Sequence, residues 1–282
     1  MNTLNLNDSN KFIIKLIESN KPFFISRLGL GSETYSTYHY LITGEVGNIS
    51  SLDNNAGIYY NSKEDIIKYN VYYSNALKNS NALATWNNYM IKEQNFFINK
   101  YKLTKLTSRV VEPFYQLEEN IIPWTHHLKD KKILIISPFI QSFMYQLKNN
   151  FKLYKDKNIF LPDQEFVFYK SFNTSAGNRI DGHNCWEDTY LHMINDINAI
   201  DFDIALVSCG GYGLPICNHI KENLKKSAIY IGGGLQLFFG VIGNRWLNRE
   251  DWKKRIKESP SKFIRPMEKL INSDRVENSC YY

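Results

Sequence analysis

This 282-residue sequence lacks three features that mark common classes of protein. Its four cysteines (Cys185, Cys209, Cys217 and Cys280) form no CxxC pair, which argues against a disulfide framework and a zinc site of the usual spacing. No apolar run approaches the roughly 20 residues of a membrane-spanning helix. The first residues show no basic segment followed by an apolar one, so we expect no secretory signal. Together these absences predict a soluble, cytoplasmic protein.

The charged residues are not arranged as nucleic-acid-binding proteins arrange them. The 34 Lys and Arg exceed the 28 Asp and Glu by six, and apart from 129–132 and 252–257 the basic residues are dispersed. Because no basic helix carries interleaved aromatics, we expect no nucleic-acid partner. An outward-facing Trp246 and Trp252 would allow a peripheral contact with an anionic membrane. We favour an ordinary helix that packs both tryptophans inward.

Tyrosine is abundant, with 19 residues. A tyrosine ring offers stacking area together with a hydroxyl group, which suits the recognition of sugars or bases. A chain rich in asparagine, isoleucine and lysine is also rich in tyrosine for compositional reasons, and we favour that explanation.

Strands and helices alternate along the second half of the chain. Short apolar runs at 131–139, 158–162, 165–172, 203–213 and 227–234 predict buried strands, with amphipathic helices between most of them. This alternation predicts an α/β fold with a Rossmann-like, mostly parallel sheet covered by helices on both faces. Residues 1–129 are expected to be helix-rich, with helices throughout 63–103, and to pack with the Rossmann-like part, 130–282, as a single domain.

Glycines follow two of these strands directly. Gly210, Gly211 and Gly213 come after one, and 232–234 come after another. In open α/β sheets ligands bind beyond the carboxyl ends of the strands, where glycines let the backbone approach a phosphate. Close packing of helices and strands explains such glycines equally well. The spacing matches neither GxGxxG nor a Walker loop.

Other polar residues give weaker indications. Arg27 and Glu33 flank a glycine turn after the first strand and could contact a diphosphate and hold a proton or metal, although spacing alone favours a surface ion pair. His183, in the polar loop 173–184, is the histidine best placed for acid–base chemistry or substrate contact. The pairs Asp163/Glu165 and Asp201/Asp203 lie at the amino ends of strands, so we expect them to be structural.

Several segments together resemble the GT-D and GT-D-like glycosyltransferase families. The resemblance is carried by SRLGLGSE (26–33), the long block at 203–240 and the tail VENSCYY (276–282). Shorter matches at 54–60, 84–86, 135–139 and 173–188 extend it over nearly the whole chain.

The resemblance implies a site for a nucleotide sugar. The family signature R-F-G-D-G-E falls on Arg27, Gly29, Gly31 and Glu33, with Leu30 in place of the aspartate and Ser32 as an added residue. Arg27 and Glu33 are the expected catalytic residues. Expected nucleotide-sugar-binding residues are Gly29, Gly31, Gly210, Gly211, Tyr212, Gly213, Gly232, Gly233, Gly234 and Gln236, with Tyr212 stacking on a base or sugar. Asn54, Asn55 and His183 are expected to face the sugar or acceptor.

The signature's carboxylate pair is reduced here to Glu33. Mn²⁺ or Mg²⁺ could be held by Glu33 with the diphosphate and water, and Arg27 with the glycine-loop amides is the metal-free alternative. We therefore predict transfer of a sugar from a nucleotide sugar to a glycan or other hydroxyl acceptor. The alternatives are an S-adenosylmethionine-dependent methyltransferase and a non-catalytic glycan- or nucleotide-binding module.

Overall fold

The computed structural model describes residues 2–29 and 31–282, which form one seven-stranded sheet flanked by helices. The strands are β1 (Phe24–Arg27), β2 (Ala82–Thr85), β3 (Thr104–Thr107), β4 (Lys132–Ser137), β5 (Glu165–Lys170), β6 (Ile204–Val207) and β7 (Ser227–Tyr230). The helices are α1 (Leu6–Glu18), α2 (Ser32–Thr43), α3 (Leu52–Ala56), α4 (Lys63–Asn79), α5 (Ile91–Tyr101), α6 (Phe114–Glu118), α7 (Ile140–Lys148), α8 (Trp186–Asn198), α9 (Gly213–Glu222), α10 (Leu235–Phe238), α11 (Asn244–Leu247) and α12 (Glu250–Glu258). Short 3-10 helices cover Ser108–Val111, Trp124–Leu128, Gly210–Tyr212, Gly232–Gly234 and Ser273–Arg275.

All neighbouring strands of the sheet are parallel, in the order β3-β2-β1-β7-β6-β4-β5. Successive side chains of a strand point to opposite faces, so the sheet separates two hydrophobic cores. On β4, Ile133 and Ile135 pack on one face with α1 and α7, and Leu134 and Ile136 pack on the other with α4, α8 and α9. The predicted Rossmann-like α/β class and the parallel sheet are confirmed.

The helix-rich N-terminal part is confirmed, but it also supplies three strands of the sheet. The region 63–103 was predicted to be helical throughout. That prediction is wrong at β2, which lies inside this region, and β3 begins directly after it. The four residues of β2 are fully buried and pair with strands on both sides, so tertiary pairing overrides the local helical pattern. The strand predicted at 158–162 is also wrong, because the structure shows turns and coil there.

β1 and β7 pair at the centre of the sheet and join its two halves. The chain leaves β1 toward β2 and β3 on one side, while β4 to β7 fill the other side. The two sets of strands, formed by different stretches of the chain, therefore meet at β1 and β7, and in open α/β sheets ligands bind beyond the carboxyl ends of the strands. We therefore expect the functional site at the carboxyl ends of β1 and β7.

The two tryptophans near the end of the chain face inward. Trp246 is 5% exposed and Trp252 is 1% exposed, and both belong to a hydrophobic core. The inward packing favoured from the sequence is confirmed. Among the described helices, none is both long and apolar enough to cross a membrane.

Arg27 ties the carboxyl ends of β1 and β7 together. Its guanidinium donates to Glu112 Oε1 at 3.0 Å and to the carbonyl oxygen of Ile231, and it lies 4.7 Å from the ring centre of Trp86. The Arg27 side chain is 5% exposed and that of Glu112 is 15% exposed. Loss of one partner from such a pair leaves the other charge buried without compensation.

We expect Arg27→Ala to lower the free energy of unfolding by about 3 kcal/mol, because it strands the Glu112 carboxylate. Chemical denaturation of the full chain measures this loss. The control is Lys253→Ala, which removes an exposed ion pair with Glu250 and should cost less than about 1 kcal/mol. A similar small loss in Arg27→Ala would show that the buried pair does not hold this junction.

Candidate functional site

A cleft of about 420 Å³ opens beside the carboxyl end of β1. The chain leaves β1, passes the glycine turn and begins α2 at Ser32. The N-cap residue of α2 is Gly31, which has no side chain to bond the N–H groups of the first turn. The residues that line the cleft are Gly31, Ser32, Tyr35, Asn48, Ser50, Ser51, Tyr89 and Met90. Of the predicted site residues, Gly31 is the one in this lining.

Glu33 lies in the first turn of α2, immediately behind the cleft wall. Its carboxylate folds back over Gly29, so closely that a side chain on Gly29 would collide with Glu33 Oε1. Ser32, which lines the cleft, donates its hydroxyl to Glu33 Oε2 at 3.4 Å. The residues of the predicted motif therefore contact one another. Gly29 leaves room for the Glu33 carboxyl group, and Ser32 hydrogen-bonds to that group and lines the cleft.

Burial raises the pKa of the Glu33 carboxyl above its ordinary value. Its own backbone N–H and the Ser32 hydroxyl oppose the shift, and the charge of Glu277 adds to it. Among the described residues no basic side chain forms an ion pair with Glu33. A carboxyl group whose pKa is moved toward neutrality is suited to general acid–base work, since it can both take up and release a proton there.

Buried tyrosines surround this carboxyl group. Tyr73 accepts from the Gly29 N–H and lies 2.9 Å from the Thr34 hydroxyl, while Tyr69 and Tyr230 donate to the carbonyl oxygens of Gly211 and Gly210. Burial raises the pKa of each of these three tyrosines, and the negative charge of Glu33 raises it further. The tyrosines thus remain neutral hydrogen-bonding groups.

The glycines at 232–234 leave space for protein side chains. A side chain on Gly234 would collide with Glu112, and one on Gly233 would collide with the Tyr281 ring. At Gly232, where φ is +65°, an added Cβ would lie 3.1 Å from the Arg27 guanidinium. Close packing against protein groups accounts for these glycines, and their role as the floor for a nucleotide diphosphate stays a prediction.

The glycines at 210–213 are also packed against protein. An added side chain would meet the Ala56 carbonyl from Gly210, Ile58 from Gly211 and the Tyr230 ring from Gly213. Tyr212 is 2% exposed, and its hydroxyl donates to the Gly57 carbonyl oxygen at 3.0 Å. The Tyr212 ring thus lies in the core, and its stacking on a base or sugar stays a prediction.

Arg27 was expected to contact a leaving diphosphate, but its guanidinium is committed to Glu112, Ile231 and Trp86. A direct catalytic contact by Arg27 is therefore not what the structure shows. Gln236 is equally enclosed: it is 1% exposed and donates to the Tyr281 carbonyl oxygen at 3.3 Å. Its Oε1 has no partner among the described residues.

Asn54 and Asn55 lie in α3 at the same edge of the sheet. Asn54 donates to Asn55 Oδ1 at 2.7 Å and to the Arg275 carbonyl oxygen at 2.8 Å, which fastens the C-terminal segment to α3. His183 is separate from this arrangement and lies next to α8, where its Nδ1 is 2.9 Å from the Thr189 hydroxyl. Its Nε2 is 3.3 Å from Nδ1 of His192. None of the three lines the cleft, so their roles toward sugar or acceptor stay predictions.

Most residues of the cleft wall were not among those predicted from the sequence. Asn48, Ser50 and Ser51 come from a turn-rich stretch, and Tyr89 comes from a segment predicted to be helical. Tyr89 is 63% exposed, which is unusual for a large aromatic side chain. The asparagine pair before Tyr89 was the available signal, because such residues favour a turn that can present an aromatic ring.

The side chains around Glu33 show how many protein ligands a metal ion would find there. Among the described residues no group of three or more His, Cys, Asp or Glu side chains could hold a metal ion. Leu30, the position of the missing aspartate, lies outside the described residues. Mg²⁺ is usually held by one or two carboxylates together with substrate phosphates and water, so a cation shared by Glu33, the diphosphate and water stays a prediction.

One comparison with known proteins gives a match. The model of the GT-D fold-like domain family matches residues 106–238. Searches of the curated proteins and of the solved structures found no match. The matched segment begins after the motif at 26–33 and covers β4 to β7, which form one half of the sheet. The match supports the resemblance seen in the sequence, since residues 106–238 are similar to the GT-D fold-like domain.

Proposed function

We propose that this protein is a glycosyltransferase that moves a sugar from a nucleotide sugar to a hydroxyl group of a glycan or other acceptor. The observation that carries the proposal is Glu33, a carboxyl group with a raised pKa beside a cleft at the carboxyl edge of a parallel sheet. The GT-D fold-like domain supports the same class of activity.

In the proposed reaction Glu33 acts as the general base. The acceptor oxygen attacks the anomeric carbon of the donor, the bond from that carbon to the diphosphate oxygen breaks, and the hydroxyl proton passes to Glu33. The uncapped first turn of α2 places main-chain N–H groups and the positive end of the helix dipole beside this carboxyl group. These groups are suited to stabilise negative charge that develops on the leaving diphosphate.

The steps of this mechanism use only groups of the chain itself, and among the described residues no cluster of three or more His, Cys, Asp or Glu side chains supplies a metal site made by protein alone. A divalent cation shared by Glu33, the diphosphate and water stays a prediction, and the dependence of transfer on added Mn²⁺ tests it. The cytoplasmic location is likewise a proposal. It is supported by the four cysteines, which are all buried free thiols.

Glu33→Gln should reduce sugar transfer by about 10²–10⁴-fold, because the amide cannot accept the acceptor's proton. The measurement is release of nucleoside diphosphate from a panel of nucleotide sugars with hydroxyl acceptors. Glu45→Gln, the same substitution at an exposed position after α2, is the matched control and should retain full activity. Full activity in a folded Glu33→Gln variant would overturn the assignment.

The raised pKa of Glu33 also predicts how activity and stability depend on pH. Transfer needs the deprotonated carboxylate, so kcat/KM should fall on the acid side with an apparent pKa above the ordinary value of about 4.3. Folding favours the protonated form, so the wild-type free energy of unfolding should decrease as pH rises from about 4.3 through the raised pKa.

Glu33→Gln removes the buried charge and should therefore be more stable than the wild type at neutral pH. Its advantage should disappear below about pH 4, where the wild-type carboxyl is protonated in both states. Denaturation of both proteins over this pH range measures the difference. A Glu33→Gln variant that is less stable than the wild type at neutral pH would contradict the raised pKa of this half-buried carboxyl group.

A further inference from the structure

The cleft beside α2 is lined by uncharged residues. None of its eight lining residues carries a charge, and the apolar part of the wall is larger than the polar part. The polar groups it offers are hydroxyls and an amide, from Ser32, Ser50, Ser51 and Asn48. Groups of this kind both donate and accept hydrogen bonds, which is what neutral sugar hydroxyls require.

Two tyrosine rings complete the wall. Tyr35 is 43% exposed and Tyr89 is 63% exposed, so each ring presents area to the cleft and to solvent. An exposed aromatic ring supplies a flat apolar surface on which the C–H face of a sugar can pack, and its hydroxyl adds a polar end.

Both rings are carried on fixed backbone. The ring of Tyr35 lies against His39 on the next turn of α2, with ring centres 6.2 Å apart. Gln94 is 2% exposed and holds the turn that carries Tyr89: it accepts from the Trp86 N–H at 2.7 Å and donates to the carbonyl oxygens of Trp86 and Tyr89 at 3.0 and 2.6 Å. The turn is thus positioned before any ligand arrives, which reduces the entropy lost on binding.

The cleft is connected to the proposed general base through one residue. Ser32 lines the cleft and donates its hydroxyl to Glu33, and to the Ser51 carbonyl oxygen at 3.2 Å. A hydroxyl group bound at this wall is therefore close to the carboxyl group that would take its proton. The volume of about 420 Å³ lies within the range of about 300–1,000 Å³ common for small-molecule sites.

We infer that this cleft is the acceptor subsite and that it takes an uncharged sugar packed against Tyr35 and Tyr89; the inference rests on the proposed glycosyltransferase function. A nucleoside diphosphate is disfavoured inside it, because no lining side chain supplies a positive charge. Acidic sugars are disfavoured for the same reason, and by the Glu33 carboxylate behind the wall. Tyr35 and Tyr89 are thus assigned as the residues that determine acceptor specificity.

Saturation-transfer NMR on full-length Glu33→Gln protein tests binding without turnover. The probes are methyl glycosides of glucose, galactose, mannose and N-acetylglucosamine, with methyl glucuronide as the charged comparison. We expect at least one neutral glycoside to bind and the glucuronide to bind more weakly. Adding Tyr89→Ala or Tyr35→Ala should weaken binding about tenfold, and Tyr89→Phe should retain it because the ring face remains.

Tyr145→Ala is the matched control, because Tyr145 is an equally exposed tyrosine (48%) on α7, outside the cleft. It should bind the glycosides as the parent protein does. Binding of none of the neutral glycosides, or unchanged binding in both tyrosine-to-alanine variants, would overturn the inference. So would a glucuronide that binds as tightly as the neutral glycosides.

Kinetics separate this inference from the proposed function. In protein with Glu33 intact, Tyr89→Ala should raise KM for the acceptor about tenfold and leave KM for the nucleotide sugar unchanged. Transfer that is insensitive to Tyr35 and Tyr89 would refute the acceptor subsite and leave the glycosyltransferase function standing. Glycoside binding that depends on the tyrosines, without transfer from any nucleotide sugar, would refute the function and retain a neutral-sugar site.

Discussion

The buried ion pair between Arg27 and Glu112 is the interaction on which the centre of this structure depends. It joins the end of β1 to the segment that follows β3, and the bond to Ile231 adds the end of β7. Residues 232–234 have no side chains because the ion pair and the Tyr281 ring occupy the space beside them. The junction between β1 and β7 is thus closed by protein contacts, and the open space lies to one side, at the start of α2.

The same crowding gives Glu33 its chemical character. Buried tyrosines hydrogen-bonded to neighbouring backbone surround the carboxyl group, and no cation among the described residues compensates its charge. Such an environment costs folding stability at neutral pH and provides a proton acceptor whose pKa is moved toward the working range. In the proposed reaction, stability and activity would therefore be opposed at this residue, as they commonly are at functional sites.

The sequence predicted the architecture better than the site. Continuous apolar runs such as 131–139 and 203–207 identified the parallel strands, because strands buried on both faces read as unbroken hydrophobic segments. β2 was not predicted, because its sequence, ALAT, shows no strand pattern when it is considered without its neighbours in the sheet. Arg27 and Glu112 are 85 positions apart, so their pairing could not be read from local spacing. A run of glycines leaves space beside the backbone, but the sequence does not show whether a ligand or a tyrosine occupies that space. Here protein groups occupy it.

A thermal-shift screen tests the central claim most directly. UDP-, GDP-, CMP- and dTDP-sugars and S-adenosylmethionine would each be added to the full chain, with and without Mn²⁺. A ligand at about 100 times its dissociation constant stabilises the folded state by about 2.7 kcal/mol, which raises the melting temperature measurably. If the protein uses a nucleotide-sugar donor, at least one nucleotide sugar should raise the melting temperature and S-adenosylmethionine should not. A shift with S-adenosylmethionine alone, or with no nucleotide sugar, would contradict the glycosyltransferase function.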